Sequence, residues 1–150
     1  MLTQLAFDTD EFRYFYNTWR PITAIRYPGA WLASKRDVSD PNWTPLLTPT
    51  PNHQDYISTH ATFGGAAAAV IRLWNKGDTI NVTLSSNVTL DNVGVVTRHI
   101  TNLTAAAKDN GNSRVFGGIH FQFSSDVGIQ VGDRVGKETV KVFDQSWDEF

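Results

Sequence analysis

Ser113-Arg114-Val115-Phe116-Gly117-Gly118-Ile119-His120-Phe121 is the stretch on which the reading of this chain turns. On a straight helix Arg114 and His120, six residues apart, point about 120° away from each other. Gly117-Gly118 supplies a turn between them, because glycine enters backbone regions closed to other residues. A cation and an imidazole can then face one point. Two other short segments carry the same chemistry: Arg20-Pro21 behind an aromatic-rich segment, and Ser58-Thr59-His60 opening an alanine-rich one. Together they hold two guanidiniums, two imidazoles and several small-residue backbone amides, a set suited to gripping a tetrahedral oxyanion. The planar arginine fork donates bidentately to such oxygens and stays charged at any working pH. One imidazole can attack or ligate the central atom while the other moves a proton near neutral pH.

The order and spacing of the three segments resembles the vanadium-dependent haloperoxidase and type-2 phosphatidic acid phosphatase superfamily, from about residue 10 to about residue 132. The first motif of that family is a lysine, six residues, then Arg-Pro; here Arg13 stands seven before Arg20, with Trp19 between them as in haloperoxidase-like members. The second, usually Pro-Ser-Gly-His, reads Ile57-Ser58-Thr59-His60 and continues Ala61-Thr62-Phe63-Gly64-Gly65. The third, Ser-Arg, five residues, His, is intact, and Gly117-Gly118-Ile119-His120-Phe121 is similar to the soluble haloperoxidase-like branch.

The resemblance implies a mainly α fold, a helical bundle of the vanadium haloperoxidase and acid phosphatase type. Residues 1–150 then form a single catalytic domain that corresponds to the C-terminal part of the family and lacks its N-terminal helices. A partner copy, another chain or a longer precursor is expected to supply the missing layer. The resemblance also implies vanadate as cofactor. His120 is then the vanadium ligand and His60 the acid-base residue, with Arg13 a further catalytic cation and Arg20, Arg114, Ser58 and the Thr59 amide on the oxyanion oxygens. His53, seven residues before His60, stands where bromide-oxidising relatives carry a histidine and chloride-oxidising ones an aromatic residue, which makes it a halide-site candidate.

The activity implied is a haloperoxidase using hydrogen peroxide and a halide, bromide in preference, to halogenate a small organic substrate. Two alternatives share the same residues. One is an acid phosphatase with His120 as nucleophile, passing through a phosphohistidine, and His60 as general acid. The other is a degenerate, non-catalytic anion-binding fragment, motivated by Arg13, Ile57 and Thr59 where the family has Lys, Pro and Gly.

Composition sets bounds around this. A chain of 150 residues, 41% hydrophobic and 19% charged, buries one modest core. A net charge of −2 leaves no electrostatic footprint for nucleic acid or anionic membranes. No apolar run approaches the roughly 20 residues that span a bilayer, and Met1 to Asp10 shows no signal-peptide pattern. With no cysteine, disulfides, thiolate ligands and cysteine nucleophiles are all excluded. Asn42, Asn81, Asn87 and Asn102 each begin an Asn-x-Thr triplet, so a soluble, secreted protein stays open.

Along the chain, Phe7 to Arg26 reads as a helix that carries Arg13 and Arg20 on one face, since seven residues make about 700° of rotation. Tyr27 to Asn52 reads as a proline-rich loop. Ser58 and Thr59 are N-cap candidates for a helix from His60 to Asn75, whose free amides favour an anion. Asp78 to Leu90 alternates apolar and polar residues as a half-exposed strand or hairpin does. A helix over Val95 to Asn110, with Ile100, Leu103 and Ala107 inward, is expected to end at Gly111. The last helix, Ser125 to Trp147, carries Gly128, Gly132 and Gly136, a spacing that argues close helix packing because Asp133, Arg134 and Lys137 exclude a membrane setting. His99 has no motif partner and is expected in solvent.

Overall fold

The computed structural model of the chain describes residues 15–27, 39–90 and 94–147. Arg13 lies outside the described residues. Arg20 precedes a proline, whose ring disfavours helical dihedrals at the residue before it. It is extended, φ −76° and ψ 157°, and forms the N-cap of helix α1, Pro21–Arg26, where the missing N–H of Pro21 breaks no helical bond. The continuous helix expected over 7–26 is therefore corrected at residues 17–20, while 15–16 and 21–26 are helical and 7–14 lie outside the described residues. Residues 17–20 are not helical, Asn17 takes φ 44°, and Arg20 stands at a helix entrance instead of on a helical stripe.

Helix α2, Thr59–Trp74, follows the sequence expectation closely, with Ser58 as N-cap residue. The Ser58 hydroxyl makes no capping hydrogen bond. Two antiparallel strands come next, β1 (Thr79–Leu90) and β2 (Gly94–Asn102), with Val82 opposite Ile100 and Ser85 opposite Thr97. The first was expected. The second corrects the helix expected from Val95: the β-branched run Val95, Val96, Thr97, Ile100 and Thr101 suits a pleated surface better than a helix. His99, on β2, is exposed and meets the Thr83 hydroxyl at 3.1 Å.

Helix α3 is Leu103–Phe116, capped by Asn102, whose Oδ1 accepts from the Ala105 amide at 2.7 Å. It passes through Gly111 without ending there, which corrects the expected stop. A Cβ at Gly111 would lie 2.7 Å from the Ser125 hydroxyl, so the glycine serves helix contact and not chain termination. Helix α4, Gln122–Trp147, lays its three glycines on α2. A Cβ at Gly128 would meet the Ser58 carbonyl at 2.8 Å and one at Gly136 the Ala66 carbonyl at 2.6 Å. Main chain thus packs on main chain, as the glycine spacing predicts.

The core is small. Ala68, Leu103 and Ala107 are buried together with Ile80 against them. Arg72 of α2 ties the layers by donating to the Thr104 hydroxyl at 2.7 Å and pairing with Asp133 of α4. Several large apolar side chains face outward, among them Trp74, Phe116 and Phe143. Among the described residues no helix is long and apolar enough to cross a membrane.

Candidate active site

The site forms where the approach to α2, the α3–α4 turn and the entrance of α1 meet. The segment before α2 is laced to both neighbours. The Asp55 amide donates to the Thr18 carbonyl at 3.0 Å, the Ser58 amide to the Ser124 carbonyl at 3.1 Å, and the Ser124 hydroxyl to the Asp55 carbonyl at 2.8 Å. Tyr56 stacks on Phe123 with ring centroids 6.0 Å apart, which presses the segment onto the start of α4.

Arg114 lies in the last turn of α3, and its carbonyl accepts from the Ile119 and His120 amides at 3.1 and 3.2 Å. The chain therefore doubles back between Arg114 and His120. Gly118, at φ +74°, makes the bend in a region that L side chains avoid, and Trp43 and Pro45 press on it. The turn read from Gly117-Gly118 is present and does what the spacing of Arg114 and His120 requires.

Arg20 is 5% exposed and has its donors engaged on three sides. Nε donates to the His53 carbonyl at 2.7 Å, Nη1 to the Ile119 carbonyl at 2.6 Å, and Nη1 also lies 3.3 Å from His120 Nε2. Nη2 lies 2.7 and 3.1 Å from the two ring nitrogens of His53. A guanidinium only donates, so His120 meets it as an acceptor through Nε2; His53 has one acceptor nitrogen, Nε2, because its Nδ1 donates to the Gln54 carbonyl at 2.9 Å. His53, the halide-site candidate, is thus placed directly on the first-motif arginine. A cleft of about 470 Å³ opens on their outer side, lined by Trp19, Arg20, Thr23, Thr50, His53 and Gln54.

His120 is buried, and its Nδ1 lies 2.8 Å from Oδ1 of Asp55, itself 0% exposed. The Phe121 amide donates to the same oxygen at 3.3 Å. Asp55 is the member of the site that the motifs do not contain. Its only sequence signal is an acidic residue five positions before His60, while its partner is 65 residues away.

His60 stands at the surface end of the site, and its carbonyl accepts from Asn110 Nδ2 at 2.7 Å. Partial burial first, then the neighbouring Arg114 guanidinium and the His120 ring, which cannot share a second proton with it cheaply, hold its pKa below the ordinary histidine value, so the ring is neutral at neutral pH. Burial also lowers the pKa of Arg114, which remains a cation. Three polar atoms at the site are buried without a protein partner: the donors Ser58 Oγ and Arg114 Nε, and the carboxylate oxygen Asp55 Oδ2. Thr59 is the first residue of α2, next to Ser58 in sequence. The structure therefore brings together Arg20, His53, Ser58, His60, Arg114 and His120.

A helical bundle with an arginine at a helix entrance, a histidine at a helix start and an Arg-to-His turn is what the resemblance to the vanadium haloperoxidase superfamily leads one to expect. The chain matches the family described as VCPO second helical-bundle domain over residues 8–149 and belongs to it. It is 23% identical over 154 residues to the vanadium chloroperoxidase of Curvularia inaequalis, a match that takes in 75% of this chain and 24% of that protein. Its fold is similar to that of a bacterial vanadium-dependent chloroperoxidase, with TM-score 0.63, 24% identity, and 79% of this chain and 28% of the other covered. A bacterial vanadium-dependent iodoperoxidase gives TM-score 0.64 at 26% identity, covering 86% of this chain and 28% of its own. The chain spans about a quarter of the length of the relatives it matches.

Proposed function

We propose that the pocket binds vanadate and that the chain is the catalytic part of a haloperoxidase, with hydrogen peroxide, a halide and a small organic molecule as substrates. One observation carries the fit. Buried donors normally have partners, and an unpaired one costs about 1–3 kcal/mol. Ser58 Oγ and Arg114 Nε, from the second and third motifs that also carry His60 and His120, are both buried without one. A tetrahedral oxyanion answers both atoms at once and is matched by the charges of Arg20 and Arg114. When bound, vanadate supplies a Lewis acid that activates peroxide.

Every other task belongs to the protein. Arg20, Arg114 and Ser58 hold and orient the oxygens, the Thr59 amide adds a donor at the start of α2, and His120 offers Nε2 to the central atom. His60, neutral because burial and the neighbouring Arg114 cation disfavour its charged form, is poised to accept a proton from a bound oxygen and return it. His53 keeps the arginine in place and presents the position at which the family resemblance expects bromide selectivity. Arg13 enters as the further cation of the first motif. A helical layer from a second copy, another chain or the rest of a longer precursor covers the exposed apolar side chains of α2 and α4.

The test is vanadate-loaded protein with peroxide and bromide, read by bromination of a phenol. Full vanadate occupancy without bromination rejects the reading.

A second reading, phosphomonoester hydrolysis, is favoured by the acceptor state of His120 Nε2. That nitrogen bonds to phosphorus as the ester oxygen leaves and takes a proton from His60, which must enter the step protonated, so with its lowered pKa this reading places activity on the acid side; water then cleaves the phosphohistidine and returns the proton to His60. Hydrolysis of an aryl phosphate, inhibited by vanadate, supports it. Anion binding with neither activity identifies a non-catalytic anion-binding domain.

A further inference from the structure

We propose that Asp55 is a positioning residue for His120: its carboxylate claims the Nδ1 proton, fixes the plane of the ring and leaves the Nε2 lone pair facing the pocket. The inference rests on the oxyanion reading of that pocket and names a residue that the three motifs do not include.

A neutral imidazole has one N–H and one acceptor nitrogen, and the partner of each decides which is which. Here both contacts agree. Nδ1 meets an oxygen at 2.8 Å, and Nε2 meets an arginine nitrogen, which only donates, at 3.3 Å. The proton therefore belongs on Nδ1. In water, free histidine prefers the opposite tautomer, so an acceptor has to hold the ring in the state that the chemistry of Nε2 needs.

The carboxylate is itself held. Its backbone amide is bound to Thr18, its carbonyl to Ser124, and its Oδ1 also takes the Phe121 amide. It cannot follow a ring that turns away. Oδ2 is buried with no partner of its own, so Asp55 makes no competing bond that would draw it from His120. When Nε2 gives its lone pair to a central atom, positive charge appears on the ring, and the carboxylate faces it.

Two variants separate this role from mere packing. Asp55→Asn retains a carbonyl that accepts from Nδ1–H, while Asp55→Ala removes the acceptor. Long-range proton–nitrogen NMR spectra of the His120 ring, taken above about pH 8 where histidine is ordinarily neutral, read the tautomer directly. Calorimetry with orthovanadate reads the consequence. In the parent and in Asp55→Asn the proton sits on Nδ1 and affinities agree within about threefold; in Asp55→Ala the Nε2–H form becomes the major one and affinity falls about tenfold or more, as expected for loss of a ligand-orienting partner. A parent ring whose proton is on Nε2 overturns the proposal even if no variant folds. So does an Asp55→Ala spectrum identical to the parent's. Failure of the parent to bind vanadate rejects the pocket reading instead, because the tautomer measurement needs no anion.

Discussion

The guanidinium of Arg20 and the ring of His120 meet at 3.3 Å, Nη1 against Nε2, although they lie 100 residues apart in the chain. The nitrogen offered to an incoming anion is the one an arginine already faces. Under the proposed oxyanion reading, Arg20 and His120 would be engaged together, the guanidinium as donor to an oxygen and Nε2 as the ligating nitrogen.

Arginine loss should act on binding. Arg114 Nε has no protein partner, so Arg114→Ala removes a charged donor without breaking a bond at that atom and should weaken vanadate or phosphate binding by about 1.5–3 kcal/mol. Arg20→Ala should lose at least as much, because it also releases the His53 and Ile119 carbonyls. Calorimetric titration measures both. Binding as tight as the parent's in either variant places the pocket elsewhere.

His60→Ala should separate the two steps. The ring is outside the set that grips the oxygens, so vanadate affinity should stay within about fivefold while turnover falls about 100- to 10,000-fold, as for a lost acid-base group. Steady-state rates beside the binding isotherm show the split. Equal losses in affinity and turnover would make His60 a binding residue.

The depressed pKa of His60 also predicts an acid slope in stability. The folded state disfavours protonation through burial, Arg114 and His120, so the unfolded chain takes up this proton first as pH falls below about 6.5. Stability from this source is complete above that pH and declines below it, down to the folded pKa. His60→Gln should flatten that part of the slope, read from urea midpoints at pH 7.5 and pH 5. An unchanged slope would mean the ring is not held neutral.

Asp78 predicts a second, more acidic window. Burial opposes its charge, but hydrogen bonds from the Thr104 side chain and amide and from Asn102, with Arg72 nearby, outweigh this and hold its pKa below the ordinary aspartate value. Its stabilising effect is present above about pH 4 and fades as pH falls through the folded pKa. Asp78→Asn should lower the melting temperature at pH 7, with the difference from the parent shrinking toward pH 2.5. A difference that persists undiminished there would assign the loss to geometry and not charge.

Much of this was legible because it is local. Gly117-Gly118 announces a reversal within five residues, and the Gly128, Gly132, Gly136 spacing announces a helix seam. The second strand was not legible. Ile100, Leu103 and Ala107 fall at helical spacing, yet what settles Val95 to Asn102 is pairing with β1, a contact absent from any single window of sequence. The entrance of α1 was misread for a related reason: the seven-residue spacing of Arg13 and Arg20 suited one face of a continuous helix, and Pro21 ruled its predecessor out of it. Asp55 was invisible because its meaning lies on His120, 65 residues away.

Gly132→Ala should be the most damaging methyl addition in the molecule's long helix. Its Cβ would run into the Thr62 carbonyl and lie 2.8 Å from the Ala66 amide, backbone that cannot move aside. The expected cost is about 3 kcal/mol or more, at the upper end for overpacking, whereas Gly77→Ala, whose nearest neighbour is 4.0 Å away, should be close to neutral. Urea unfolding of the two variants decides it.

That seam has an evolutionary corollary. The spacing between the helix that carries His60 and the helix that follows His120 is set by peptide groups touching peptide groups, a dimension no side-chain substitution alters so long as the glycines stay. Surface and loops are then free to drift while the two histidines keep their register, which accords with a fold similar to that of a bacterial vanadium-dependent iodoperoxidase at 26% identity.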